Sequence, residues 1–277
     1  MLVRTLVRFG PKCREDLILA CGGAADACDT SQLTRTLNRW TELGLFGEES
    51  GSVIIAEPYR SALGKNPEEA EDRLPRVARR VALQSANNVR FWESEGAKSA
   101  DLSRGVAWML AQDVYTLDAS LDRLAELEGR QLLDSGVQKI VQNNTRWNGL
   151  KTWMLYLGFA RDGMQWVVDP TQALREVLPE VFDSNRELSA PAFVARAAAA
   201  LPVLDGGVYR VQVEGALKES AWPRLRAGLV SSSLSRAIQR LDHEGLITLS
   251  NRSDTEGVVS LTGSNARTWR DVSHVAL

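Results

Sequence analysis

The stretch Leu33-Thr34-Arg35-Thr36-Leu37-Asn38-Arg39-Trp40-Thr41-Glu42-Leu43-Gly44-Leu45-Phe46 decides how this chain is read. Leu33, Leu37 and Trp40 recur at helical spacing, so one face of a helix is apolar. Gly44 comes next, and glycine takes the left-handed conformation in which a helix ends with its last carbonyls satisfied. The apolar period then becomes that of a strand through Val53, Ile54 and Ile55, with Glu48 to Ser52 as a polar loop. The same order returns 201 residues later. Leu234, Ile238 and Leu241 precede Gly245-Leu246-Ile247, and Leu249 is followed by Val258, Val259 and Leu261, with Ser250 to Gly257 as the loop. A helix, a glycine and a two-stranded hairpin form the second half of a winged helix-turn-helix.

Upstream of the first copy, Leu2, Val3, Leu6 and Val7 make an apolar helical face ended by Gly10-Pro11. Leu17, Ile18 and Cys21 make another, ended by Gly22-Gly23, and Asp29, Thr30 or Ser31 offers a cap for the third helix. Residues 1–60 therefore read as one winged helix. Residues 186–277 read as another: Pro191 starts a helix striped by Phe193, Val194, Ala197 and Leu201, and Asp205-Gly206-Gly207 turns the chain. Ser231, Ser232 or Ser233 then caps the helix that carries Ile238. Residues 135–185 hold a third copy, partial or complete. Trp147, Leu150, Met154 and Leu157 lead to Gly158, and Asp162-Gly163 is a hairpin turn pair before Trp166, Val167 and Val168. Here Trp153 stands one residue farther from its glycine than Trp40 does from Gly44. Trp40, Trp147 and Trp153 all read as core.

Residues 61–134 read as a helical connecting region. Asn66 caps a helix with Pro67 at its first position, and Glu68 and Glu69 suit the positive end of the dipole. Pro75 breaks that helix or starts the next. Val106, Met109 and Leu110, then Leu117, Leu121 and Leu124, continue the helical pattern. The expected fold class is mainly α with small β-wings: tandem winged helix-turn-helix domains joined by a helical region.

Composition narrows the chemistry. Thirty-three basic and 35 acidic residues give a net charge of −2, so bulk charge makes no case for nucleic acid. Residues 1–66 carry eight of each sign, which leaves protein binding open beside DNA binding. His243 and His274 are the only histidines, and Cys13, Cys21 and Cys28 form no Cys-x-x-Cys pair, so neither zinc nor another metal is expected. No Walker loop, Gly-x-Ser-x-Gly or His-Glu-x-x-His occurs, and Glu48-Glu49 falls in a solvated loop. No catalytic residue and no cofactor are expected. An odd cysteine count, no secretory signal and no apolar run near the ~20 residues of a membrane span point to a cytoplasmic protein without a membrane partner.

Winged helices that bind DNA lay the third helix in the major groove, where arginines read guanine edges and polar side chains read others. On that logic the nucleic-acid contacts would be Gln32, Arg35, Thr36 and Arg39 in the first copy. In the middle copy they would be Asn143, Asn144, Arg146, Asn148 and Lys151, and in the last Ser233, Arg236, Gln239 and Arg240, with Arg252 on the wing. Arg73, Arg76, Arg79 and Arg80 form the densest basic patch, suited to nucleic acid or an acidic partner, although Glu68, Glu69, Glu71 and Asp72 lie just upstream. Each set also suits an ordinary solvated helix face.

The stretches LNRWTELGLF, GVAWMLAQDVYTL, QNNTRWNGLKTWMLYLGFA and ALPVLDGGVYRVQVE together resemble the DpdG family, encoded in bacterial gene clusters that install and police 7-deazaguanine bases in DNA. The resemblance implies an anti-phage or restriction-modification setting, with helicases, ATPases, nucleases and a base-exchange enzyme as neighbours, and it carries no catalytic residues. The expected function is a non-enzymatic winged-helix subunit of such a complex, contacting double-stranded DNA, partner proteins or both. The alternatives are a sequence-specific transcriptional regulator and, further off, an enzyme with an unrecognised site.

Overall fold

A computed structural model describes residues 1–23, 30–93, 98–133, 139–141, 143–252 and 257–277. Cys28, the candidate cap Asp29 and positions 253–256 of the expected C-terminal wing lie outside them. The described chain is mainly helical with small sheets, and it divides into two compact units, Met1–Val89 and Arg90–Leu277.

The first unit runs α1 (Leu2–Phe9), α2 (Arg14–Ile18), α3 (Thr30–Glu42), β1 (Phe46–Glu49), β2 (Ser52–Ile55), α4 (Tyr59–Leu63) and α5 (Pro67–Ala82). β1 and β2 form an antiparallel hairpin with Phe46 opposite Ile55, and Lys12, between α1 and α2, bridges to Val53. Leu2, Val3 and Leu6 of α1, Leu17 of α2, Leu37 of α3, and Val53 and Ile55 of β2 meet in one core. Val77 and Val81 of α5 complete that core, so this helix packs with the elements that precede it. Asn66 caps α5 by accepting from the Glu68 N–H at 2.9 Å. The helix runs unbroken through Pro75, where the sequence pattern expected a break. A proline inside a helix costs about 3 kcal/mol; burying Ala70, Val77, Ala78, Val81 and Ala82 on one side of α5 offsets it.

The second unit runs α6 (Ala100–Ala111), α7 (Leu121–Gln131), α8 (Asn144–Tyr156), β3 (Ala160–Arg161), β4 (Val167–Val168), α9 (Thr171–Phe182), β5 (Glu187–Ser189), α10 (Ala190–Ala200) and α11 (Val208–Gly215). After these come β6 (Leu229–Val230), α12 (Ser232–His243), β7 (Thr248–Ser250), β8 (Val259–Thr262), β9 (Thr268–Val272) and β10 (His274–Ala276). α6 is its central helix, packed against α8, α11 and α12, with Trp108, Met109 and Leu110 fully buried. A closed polar triangle stands in that core: Trp108 Nε1 donates to Gln131, Gln131 to Gln112, and Gln112 to the Trp108 carbonyl, each at 2.9 Å. Such a network is affordable because every member is bonded.

Three helices end in the same way. The N–H of Gly44, Gly158 and Gly245 reaches the carbonyl three residues back, at 3.0, 3.2 and 3.1 Å. The next residue, Leu45, Phe159 or Leu246, bonds to the carbonyl of Trp40, Met154 or Leu241 at 2.9, 2.8 and 3.0 Å. This paired pattern is the Schellman stop, and it needs the left-handed glycine: φ is 89°, 79° and 71°. At Gly158 space adds a second demand, because a Cβ would stand 2.9 Å from the Ala173 nitrogen.

After the third stop the chain departs from the sequence expectation. β7 does not pair with the strand that follows it. Instead β10 returns from the C-terminus and lies between β7 and β5, antiparallel to both, while β8 pairs antiparallel with β9 and parallel with β6. The turn from Gly263 to Arg267 joins β8 to β9 at low loop-closure cost, and the chain continues through buried Ser273 directly into β10.

Candidate nucleic-acid interface

Of the three helices that end in this Schellman stop, α3 is the most open. Leu37 is buried and Leu33 and Trp40 are half-buried, whereas Gln32, Arg35, Thr36 and Arg39 are exposed together on the solvent side. The Thr36 hydroxyl donates to the Gln32 carbonyl at 2.8 Å, and Arg39 pairs with Glu42 at 2.8 Å. Arg35 has no carboxylate partner among the described residues. Arg14, at the start of α2, bonds Asn38 and reaches Glu48 at 3.2 Å, fastening α3 to the hairpin. The hairpin tip carries exposed Glu48 and Glu49, which repel phosphate, so any phosphate contact here falls to the helix.

α8 presents different chemistry. Asn143 is its cap, accepting from the Arg146 N–H at 2.9 Å, and Asn148 donates to the Asn144 side chain at 3.2 Å. Both of its cations are engaged: Arg146 pairs with Asp101 at 2.8 Å, and the Lys151 ammonium sits 5.7 Å from the Trp147 ring centre. The outer face that remains is neutral, with Thr145, Asn148 and Thr152 leading to Leu155 and an edge-packed Trp153–Tyr156 pair. Met164, between β3 and β4, is fully exposed. Trp153 is thus an outward residue, 37% exposed, and not part of the core stripe. Met154 occupies the place in the helix stop that Trp40 holds in the first copy, which removes the one-residue discrepancy in spacing.

α12 is enclosed by α6, α9 and β8. Ser233 is fully buried and donates to the Leu110 carbonyl at 2.7 Å, which leaves it no surface to offer a groove. The Arg236 guanidinium stacks 4.5 Å from the Tyr115 ring centre, and Arg240 binds buried Asp169 at 2.8 Å. Gln239 stays exposed, and Arg252 pairs with Glu187 at 2.5 Å. The four arginines of α5 also part company. Arg73 binds Glu69 at 2.8 Å, Arg79 is buried, and Arg76 and Arg80 are exposed.

A cavity of about 700 Å³ opens in the second unit, lined by Gln112, Asp113, Arg123, Arg130 and Trp222 among others. Among the described residues, no group of three or more His, Cys, Asp and Glu could hold a metal ion, and no helix is long and apolar enough to cross a membrane.

On α7, near that cavity, lies buried Glu128, whose carboxylate accepts from the Ile140 and Val141 N–H groups, the latter at 3.1 Å. Burial raises its pKa above the usual 4.5, while those N–H groups and Lys139 pull it down. The folded state therefore holds this proton more tightly than the unfolded chain. Stability from this group is present below the usual carboxylate pKa and is lost as pH rises through the raised value. Glu128→Gln should flatten that decline, read as urea midpoints measured from about pH 4 to pH 8. An unchanged slope would remove Glu128 as its source.

Comparison with known proteins gives one result. The family model described as DpdG-like matches residues 1–255. No curated protein and no solved structure matches the chain.

Proposed function

The chain belongs to the DpdG-like family, and from that premise we propose that it is a non-enzymatic, cytoplasmic winged-helix subunit of a bacterial anti-phage or restriction-modification complex. The complex is one that acts with 7-deazaguanine DNA modification. The first unit supports a winged helix-turn-helix through its order of helix, bridging strand, helix, helix and hairpin. α6, α7 and α8 with the β3–β4 hairpin repeat the order of three helices and a hairpin without a bridging strand between the first two, and α10, α11 and α12 form the third set. In the last set β10 replaces the second wing strand.

The observation that carries the reading is the open outer face of α3, where Gln32, Arg35, Thr36 and Arg39 are exposed side by side and Arg35 has no carboxylate partner among the described residues. This is the helix assigned to double-stranded DNA. α8 is assigned to a protein partner of the complex, such as its helicase, ATPase or nuclease. With Arg146 paired to Asp101, its exposed Trp153, Leu155 and Tyr156 offer apolar contact. The engaged residues of α12 give it a structural role inside the second unit.

A salt titration on random duplex tests the assignment of α3. Arg35→Ala with Arg39→Ala should weaken binding and lower the slope of log affinity against log salt by about one for each phosphate no longer neutralised. Equal affinity and slope in the double variant, or no binding by the parent protein at low salt, would overturn it.

A further inference from the structure

Four cations from two distant stretches of the chain gather on the first unit, none of them on α3. Arg8 ends α1, Lys12 lies on the bridging strand, Arg60 is in α4, and Lys65 stands in the turn before α5. Two adjoining clefts bring Arg8, Arg60 and Lys65 together, and Lys12 joins them through the Phe9 ring. One, of about 410 Å³, is lined by Arg4, Arg8, Lys65 and Asn66, with Glu68 as its acidic member. The other, of about 110 Å³, is lined by Gly10, Pro11, Arg60 and Lys65, and Val7 belongs to both. Among the described residues none of Arg8, Lys12, Arg60 and Lys65 has a carboxylate partner, whereas Arg4, Arg14, Arg39 and Arg73 of the same unit all do.

An exposed aromatic ring stands among these cations. Phe9 is 57% exposed, with the Arg8 guanidinium 5.3 Å and the Lys12 ammonium 5.5 Å from its ring centre. The main chain beneath is pinned, since the Val53 N–H donates to the Lys12 carbonyl at 2.8 Å and the Gly10 N–H to the Leu6 carbonyl at 2.9 Å. Cations without carboxylate partners beside an exposed aromatic ring suit a strand that offers both phosphates and an unstacked base. A duplex offers the phosphates but keeps its base faces stacked. An acidic peptide would use the charges and leave the ring unused.

We propose that the surface formed by Arg8, Phe9, Lys12, Arg60 and Lys65 binds single-stranded nucleic acid, with phosphates on the four cations and a base against Phe9. The proposal does not depend on α3 binding a duplex. Fluorescence anisotropy with labelled oligo-dT, a duplex of equal charge and heparin as competing polyanion tests it on the full chain. Phe9→Ala should weaken oligo-dT binding about fivefold or more while leaving duplex binding and the salt slope unchanged. Arg8→Ala, Lys12→Ala and Lys65→Ala combined should weaken oligo-dT binding at least about tenfold and lower its salt slope. These side chains are at or near the surface, so an unchanged melting curve separates a binding defect from a folding defect. The Arg35 and Arg39 double variant should keep oligo-dT binding, which sets failure here apart from failure of the α3 assignment. An unaffected Phe9→Ala, or equal losses toward duplex and heparin, would reduce the surface to a general polyanion contact and overturn the proposal.

Discussion

Gly207→Ala is expected to destabilise the second unit by about 3 kcal/mol, the upper part of the usual range for overpacking. Gly207 has ordinary extended backbone angles, so conformational freedom is not the issue. The obstacle is space: a Cβ there would stand 2.4 Å from the Pro202 carbonyl oxygen and 2.5 Å from its carbon. That carbonyl cannot yield cheaply, because it accepts from the Tyr209 and Arg210 N–H groups at 3.0 and 3.2 Å. The Gly207 N–H is itself held by the Leu204 carbonyl at 2.8 Å. Relief must therefore break the hydrogen bonds that start α11 or displace its packing against α6. Thermal unfolding should show a midpoint lowered by about 6–12 °C, at roughly 2–4 °C per kcal/mol for a unit of this size. Gly129→Ala is the counterpart: it lies inside α7 with open space where its Cβ would go, and should gain about 0.5–1 kcal/mol. A melting point for Gly207→Ala within about 2 °C of the parent, judged against the same scale, would show that the Pro202 turn can move after all.

What the sequence made legible was local. The helix stop at Gly44 is written in neighbouring residues, and so are the stops at Gly158 and Gly245, because a Schellman bond spans only one turn. The stripe of Trp147, Met154 and Leu157 packs as its spacing indicates, and only Trp153, placed in the core by comparison with Trp40, points outward. What stayed hidden depends on distant contacts. The place of β10 beside β7 and β5 rests on pairings of His274 with Ser250 and Ser189, which neither local period reveals. Ser233 resembles an exposed reader of DNA in sequence, yet a serine can be fully buried once its hydroxyl finds a carbonyl, as it does on Leu110. The surface of Arg8, Lys12, Arg60 and Lys65 is invisible as a charge run because it draws on two stretches of the chain about fifty residues apart.

Asp205→Ala is expected to destabilise the second unit by about 3 kcal/mol, because it removes one of the two carboxylates that face a buried cation. Arg210 of α11 is fully buried. Its Nη1 lies 3.4 Å from Asp205 and its Nε 2.6 Å from Glu214, so two carboxylates share one guanidinium. Asp205 also holds the start of α12, accepting from the Ser231 N–H at 2.6 Å and the Ser231 hydroxyl at 2.7 Å. Ser231 in turn lies 3.0 Å from Ser233, whose hydroxyl reaches α6 at Leu110. Removing the Asp205 carboxylate thus unpairs part of Arg210 and frees the cap of α12 in one step. Glu214 remains as a partial counter-charge, and the penalty appears as reduced stability. Asp205→Asn separates the two effects: it keeps an acceptor for Ser231 and removes the charge, and should cost less than alanine. Arg210→Met in the Asp205→Ala background removes the buried cation and should recover part of the loss, giving a coupling energy of about 1 kcal/mol or more in the double-mutant cycle. Additive losses in that cycle would mean that the carboxylate serves α12 alone and that Glu214 suffices for the arginine.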